Sequence, residues 1–297
     1  MKILIISDKR AGHLNQSLAF AKYIDAETEV IDVHFRWNFL KKITYILDFF
    51  KIYTDTIFAH RVKNYSTYDY VVSTGSSTYY LNKLVAKRYN IQSIALMLPK
   101  GFRYDFDHIF AQRHDNPPLQ DNITVMDVNF SYSIAQGLFQ SKRESVGIII
   151  GGKNSIYSMD IAEIKNYLDR IIELFQGYDI AVTTSPRTSS AIEDLVASYN
   201  FAYSVFFSKN RVNPIADFLE QCEYVFITQD STSMISEAVS NGKASVEVLP
   251  LKSNKESKFE SFVDNLASKE FLHIFDMNVT TRDKKVDCSI YAKEIFR

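Results

Sequence analysis

Short apolar runs of strand length recur along this chain with helix-length amphipathic stretches between them, and that alternation limits its fold more than any other feature. In the first half the runs are KILIIS, TEVIDV, YDYVVST, SIALML, DHIFAQ and NITVMDVNF. In the second they are SVGIII, YDIAVTT, AYSVFF, EYVFIT and ASVEVLP. Runs of this kind, each followed by a helical stretch, predict β-α-β units and parallel sheets covered by helices on both faces. The fold class is α/β. With 297 residues the chain holds two domains at roughly 100 to 200 residues each. The polar bridge Gln140 to Glu144 separates two similar β/α series, which places the boundary near 142. The expected architecture is two doubly wound Rossmann-like domains, 1–142 and 143–297, facing each other over a cleft, with the extreme C-terminal residues able to pack back on the first domain. Ligands of such folds bind at the carboxyl ends of strands.

Composition removes several classes of function. Lys and Arg number 34 against 35 Asp and Glu, a formal charge of -1, so no general excess of positive charge is available to hold a nucleic acid. A 46% hydrophobic content is that of a chain with a sizeable core. Cys222 and Cys288 make neither a disulfide framework nor a zinc spacing, which suits a reducing compartment. The opening MKILIISDKRAGH reads as a first buried strand, and no apolar run reaches the roughly 18 residues of a membrane span. The expectation is a cytoplasmic protein, or one at the inner face of the cell membrane.

The stretch Phe35 to Lys63 departs from the pattern. Trp37, Phe39, Leu40, Ile43, Ile46, Leu47, Phe50, Ile57 and Phe58 are spaced mostly by threes and fours, with Arg36, Lys41, Lys42, Lys51, Arg61 and Lys63 among them. This predicts an amphipathic helix or helix pair. Most of its apolar face belongs to the core. An aromatic edge flanked by basic residues also suits peripheral contact of residues 35–63 with a membrane or a lipid-linked substrate.

Chemistry-bearing residues gather just after strands. In the first half, Ser7-Asp8-Lys9-Arg10-Ala11-Gly12-His13-Leu14-Asn15-Gln16-Ser17 leads from the first strand into a helix. Gly12 admits close approach to the backbone, and His13, with an ordinary pKa near ~6.5, suits a general base, with Asp8 the alternative. Asn15 and Ser17 read equally as helix caps. Gly12, Asn15, Gln16 and, after HIFA, His114 are the acceptor-side candidates. No Gly-x-Gly-x-x-Gly occurs, which disfavours a nicotinamide enzyme, and no His or carboxylate spacing supports a metal.

The second half offers three such places. Gly151-Gly152-Lys153 follows SVGIII, where backbone N–H groups and a lysine suit an anion. Thr184, Ser185 and Arg187 follow AVTT; a planar guanidinium suits a phosphate or a base edge. Asp230, Ser231, Thr232, Ser233 and Glu237 follow EYVFIT and enter a helix, whose positive end receives a diphosphate while Glu237 reaches a ribose diol. Helix capping by the hydroxyls is the competing account of this last group. Met234 reads as core.

Taken in order, these stretches resemble the mitochondrial fission ELM-type family, which is grouped with GT-B glycosyltransferases. SDKRAGHLNQS matches the opening Ser-Asp-Gly-Arg/Lys-x-Gly-His-x-Asn-Gln-Ser, and FDHIFAQRHD, IIIGGKNSIY, TTSPRT, NPIADFLEQCEYVFITQDSTSMISEAVSNGK and KFESF follow in the family's order. The chain departs from the pattern at Lys9, where Gly is usual, at Pro186, where an Arg is usual, and at Lys153. The resemblance implies a GT-B fold with the activated sugar on the second domain and the acceptor on the first.

The function expected from all of this is transfer of a sugar from a nucleotide donor to a glycan or lipid-linked acceptor in bacterial surface polysaccharide assembly, such as capsule, lipopolysaccharide or O-antigen. The nucleotide sugar is a co-substrate, and neither a cofactor nor a metal is expected. A sugar-nucleotide epimerase or hydrolase on the same scaffold is the alternative enzyme. A non-catalytic peripheral membrane adaptor using residues 35–63 is the alternative from another class.

Overall fold

A computed structural model describes residues 1–59, 64–253 and 258–296. The chain divides into two compact units, Met1–Tyr132 with Asp287–Arg297, and Ser133–Val286. The division falls after Tyr132, ahead of the expected position 142. Its cause is Asp217, whose carboxylate accepts hydrogen bonds from the backbone N–H groups of Gln136, Gly137 and Leu138 at 3.2, 2.6 and 3.0 Å. Phe139 adds ring contacts to Tyr203 and Phe218, each with centroids 5.3 Å apart. The residues from 133 onward are therefore fastened to the second unit before its first strand begins. The last segment belongs to the first unit, where the Tyr291 hydroxyl donates to Asp127 at 3.3 Å.

The first unit runs β1 (Lys2–Ser7), α1 (Ala11–Tyr23), β2 (Glu27–Asp32), α2 (Leu40–Phe49), β3 (Tyr70–Thr74), α3 (Tyr79–Tyr89), β4 (Gln92–Leu96), β5 (His108–Gln112) and β6 (Ile123–Met126). Its sheet has the order β2-β1-β3-β4-β5-β6, and every pairing is parallel. β1 and β3 are buried along nearly their whole length, as strands covered on both faces must be. β2 is an exposed edge strand carrying Glu27, Glu29 and Asp32, charges that deter pairing with another chain. The order reverses direction between β1 and β3, so the carboxyl ends of those two strands form the switch point of the sheet.

Of the helix or helix pair expected over 35–63, the described residues contain one helix, α2. α2 stops at Phe49 because Lys51 takes a left-handed φ of 59°, and the chain then turns back. The Tyr80 hydroxyl donates to the Ile52 carbonyl at 2.9 Å and accepts from the Thr54 N–H at 3.0 Å. Arg61 and Lys63 lie outside the described residues.

The second unit contains β7 (Ser145–Ile150), α4 (Ile161–Leu174), β8 (Asp179–Thr184), α5 (Ser190–Ala197), β9 (Tyr203–Val205), α6 (Ile215–Gln221), β10 (Tyr224–Thr228), α7 (Thr232–Ser240), β11 (Ser245–Leu249), α8 (Lys258–Ser268) and β12 (His273–Ile274). α9 (Cys288–Ala292) follows in the C-terminal segment. The sheet order is β12-β11-β10-β7-β8-β9, again all parallel. The chain winds outward from β7 in one direction and from β10 in the other, which puts a second switch point between these two strands. Val146, Ile148, Ile150, Val182 and Phe226 fill the core beneath it. β12 was not anticipated; two residues are too few to leave a period in the sequence. Cys222 and Cys288 are buried thiols without a disulfide.

Candidate functional site

At the first switch point, β1 ends at Ser7 and α1 already begins at Ala11. Gly12, His13, Asn15 and Gln16 accordingly lie on the helix itself, which starts ahead of the expected caps Asn15 and Ser17. Neither Asn15 nor Ser17 caps it: the residue at the cap is Arg10, without a side-chain bond to the helix, and the Ser17 hydroxyl meets that of Thr74 at 2.9 Å in the interior. Gln16 is buried too, its amide nitrogen 4.0 Å from the Met97 sulfur. Gly12 and Asn15 are exposed.

His13 and Asp8, written as alternatives in the sequence, form a pair. Nδ1 of His13 lies 3.1 and 3.0 Å from the two carboxylate oxygens of Asp8. The Asp8 side chain is 7% exposed and that of His13 20%. With the Nδ1 proton held by the carboxylate, Nε2 becomes the basic nitrogen of the ring. Gly75, at the end of β3, backs the pair: it has φ +92°, and a Cβ there would lie 2.5 Å from the His13 ring. Only glycine leaves the imidazole room to reach Asp8. A pocket of about 340 Å³ beside the pair is lined by Asp8, Val33, His34, Asn38, Lys41 and Ser77, among others. His114 sits on a single 3-10 turn, Arg113–Asp115, after β5, and is not among the residues lining that pocket.

At the second switch point the polar residues chiefly bind one another. The Gly151 N–H donates to the Thr228 hydroxyl at 2.8 Å and the Gly152 N–H to Asp230 at 3.1 Å. The anion expected at the paired glycines is thus the chain's own carboxylate, and a Cβ on Gly151 would fall 2.0 Å from it. Asp230 also accepts from Thr228 at 2.7 Å and from the Arg187 guanidinium at 2.6 Å. Its side chain is fully buried, and that burial raises its pKa against the pull of these donors. Asp230 is therefore a hub of the loops, its carboxylate holding Thr228, Gly152 and Arg187 together. Thr184 is similarly engaged, donating to Glu193 at 2.6 Å and accepting from the Phe207 N–H at 2.8 Å. The Ser185 hydroxyl accepts from the Arg187 N–H at 3.2 Å.

What these loops enclose is a cavity of about 250 Å³. Thr184, Ser185, Met234 and Glu237 line it, as do Phe207, Arg211 and Asn213. The last three were missed in the sequence; the signal available was the run FSKNRVNP just past AYSVFF. Met234 is a wall of this cavity and half-buried, whereas Ile235 is the core residue of that turn at 0% exposure. Burial pushes the Glu237 carboxyl above the usual carboxylate range, with the Ser133 hydroxyl pulling the other way. Ser231 is the cap of α7, accepting from the Met234 N–H at 3.4 Å. Thr232 opens the helix, and Ser233 and Lys153 are exposed. Among the described residues no three His, Cys, Asp or Glu side chains are grouped so as to hold a metal ion. Nor, among those residues, is any helix long and apolar enough to cross a membrane.

The family model for mitochondrial fission ELM1 matches residues 11–293. The chain belongs to the mitochondrial fission ELM1 family. Its place in the family gives Lys9 a physical meaning, because the position where the ELM-type pattern carries glycine has φ +66° here. An uncharacterized protein of Rickettsia prowazekii (strain Madrid E) is 24% identical, the match spanning 94% of this chain and 92% of that relative. Among solved structures, MurG of Acinetobacter baumannii covers 100% of this ELM1-family chain and 89% of its own, at 10% identity and a TM-score of 0.50. The UDP-GlcNAc 2-epimerase of Methanocaldococcus jannaschii covers 100% and 99%, at 14% identity and a TM-score of 0.50. The fold is GT-B.

Proposed function

We propose that this ELM1-family protein is a GT-B glycosyltransferase that takes a sugar from a nucleotide donor to a hydroxyl of a glycan or lipid-linked acceptor, in assembly of a bacterial surface polysaccharide. The observation that carries the reading is the cavity of the second unit. Its walls of Phe207, Met234 and Pro186 suit a flat nucleobase, and Glu237 and Arg211 are placed in the same lining to bind ribose hydroxyls and phosphate. The first turn of α7 adds N–H groups at the positive end of a helix. In an inverting transfer, the acceptor oxygen bonds to the anomeric carbon while the bond from that carbon to the diphosphate oxygen breaks. Nε2 of His13 takes the acceptor's proton, Asp8 steadies the imidazolium, and the nucleoside diphosphate leaves with the bonding pair. Helix dipole, Arg211 and Arg187 take up the charge that grows on it.

The epimerase or hydrolase reading stays in play because MurG and the epimerase resemble this chain equally, each at a TM-score of 0.50. Calorimetry of the full chain with a panel of nucleotides and nucleotide sugars comes first. Saturable binding that Glu237→Ala or Arg211→Ala weakens supports the donor assignment, and absence of any binding sinks it. Product analysis with and without acceptor then separates the enzymes. A new glycosidic bond marks a transferase, while donor turnover without a glycan marks an epimerase or hydrolase.

A further inference from the structure

The first unit carries an apolar surface that neither the donor cavity nor the His13–Asp8 pair uses. Among the described residues, six of the fifteen exposed large hydrophobic side chains fall between residues 37 and 52: Trp37, Phe39, Ile46, Phe49, Phe50 and Ile52. Phe49 is 70% exposed and Phe50 63%, a state that water penalises. The rings adjoin one another in pairs, Trp37 stacked on Phe39 with centroids 6.0 Å apart and Phe49 against Phe50 at 5.1 Å. On α2, residues 42, 46, 49 and 50 follow helical spacing and share a face, so Lys42 stands among the apolar side chains. Leu40, Thr44 and Asp48 are turned inward and buried.

Charge decides what this surface fits. From Phe35 to Ile52 the sequence holds Arg36, Lys41, Lys42 and Lys51 against one carboxylate, Asp48. That carboxylate is withdrawn from the surface: it is buried under Lys83 at 2.9 Å and accepts from the Arg103 N–H at 2.8 Å. The next one along the chain, Asp55, is held by Arg88 at 2.8 Å. The outward character of the stretch is thus aromatic and cationic together, the combination that sits in the headgroup layer of a negatively charged bilayer. Position adds a second argument. Phe35, Asn38 and Lys41, from the same stretch, line the pocket that Asp8 also lines.

We propose that residues 37–52 seat the first unit on an anionic phospholipid surface, with Trp37, Phe49 and Phe50 entering the interface and Lys42 and Lys51 facing the headgroups. The consequence for the acceptor, that it is lipid-borne and reaches Asp8 along Lys41, rests on the transfer reading; the docking itself does not.

The chain supplies its own probe, since it contains a single tryptophan and that residue is Trp37. Full-length protein is mixed with phosphatidylcholine vesicles with and without phosphatidylglycerol. The expected result is co-sedimentation with the anionic vesicles and a blue shift of Trp37 emission, both weaker with pure phosphatidylcholine. Lys42→Ala/Lys51→Ala weakens partition by about thirty-fold, at the usual contribution of a basic residue near such a surface. Phe49→Ser/Phe50→Ser weakens it by about a hundred-fold or more. If the aromatic variant fails to fold, the lysine variant carries the test. Unmoved Trp37 emission with anionic vesicles, equal binding to both vesicle types, or a lipid-independent dimer that the aromatic variant dissolves would each overturn the proposal, the last by showing a second copy as the occupant. Nucleotide calorimetry on the same preparation keeps the two readings apart. Vesicle binding without nucleotide binding leaves the docking surface standing and removes the transferase, and the reverse result removes the docking surface alone.

Discussion

The two sheets present their switch points in opposite chemical states. At the carboxyl ends of β1 and β3, His13 and Asp8 bind each other, and glycine at position 75 keeps the ring's place open. At the ends of β7, β8 and β10, Asp230 gathers Thr228, Gly152 and Arg187, and Glu193 gathers Thr184 and Ser208. The first arrangement prepares a basic nitrogen. The second spends its polar residues on holding loops so that a cavity remains between them. A cluster of hydroxyls and acids near a strand end therefore says where a site is, without saying which members touch a ligand.

The largest effect expected from this contrast is on rate. His13→Ala should lower turnover by roughly 10² to 10⁴, the usual share of a positioned proton transfer, and leave donor affinity and unfolding midpoint near the wild-type values. Steady-state kinetics at saturating donor, with calorimetry beside them, make the check. Lost affinity with intact turnover would turn His13 into a ligand for phosphate.

Asp230→Ala should do the reverse, costing about 3 kcal/mol of stability because Arg187, Thr228 and the Gly152 N–H lose a buried partner together. Urea unfolding reads this directly. A variant as stable as wild type that has lost nucleotide binding would return Asp230 to the ligand set.

Gly75→Ala follows in size. A left-handed position costs a non-glycine residue about 1 to 3 kcal/mol, and the added methyl pushes the His13 ring from Asp8. Turnover should fall along with stability, because the ring loses its place against Asp8. A stability loss with unaltered turnover would show that the ring accommodates the methyl.

These cases show what the sequence made legible. Apolar runs gave every strand except β12, most clearly those such as β1, β3 and β7 that are buried on two faces and leave a continuous signal. The placement of Asp8, Ser185 and Asp230 just after strands was also readable, as was that of Glu237 on the helix that follows. Their partners were not, since whether Asp230 meets a sugar or Arg187 depends on residues 43 positions apart along the chain. Phe207 and Arg211 lie in the loop after β9, where no period tells which residues turn toward a cavity. The end of α2 was hidden for a different reason: the apolar periodicity continues past Phe49, and only the left-handed turn at Lys51 breaks the helix.

Glu237 gives a test of the cavity through pH. Burial raises its folded-state pKa above the unfolded-state value, so the folded chain binds that proton more tightly. The contribution is whole below the unfolded-state pKa and is lost as pH rises through the folded-state one. Wild type should lose stability relative to Glu237→Gln as pH climbs through the acid range, and the gap should level off above it. Parallel unfolding midpoints at every pH would mean the carboxyl is hydrated in the cavity.

The smallest effect separates capping from binding at the start of α7. Ser231 accepts from the Met234 N–H at a long 3.4 Å, so the cap is modest, and Ser231→Ala should cost about 1 kcal/mol of stability. Ser233 is exposed one residue into the helix, and Ser233→Ala should leave stability within about 0.5 kcal/mol. If the positive end of α7 receives the diphosphate, removing both hydroxyls should also weaken donor binding by about 1 to 3 kcal/mol, the range for hydrogen bonds to charged groups. Stability and affinity must be measured on the same variants, because a loss confined to unfolding would leave Ser231 as a cap and place the phosphate on Arg187 and Arg211.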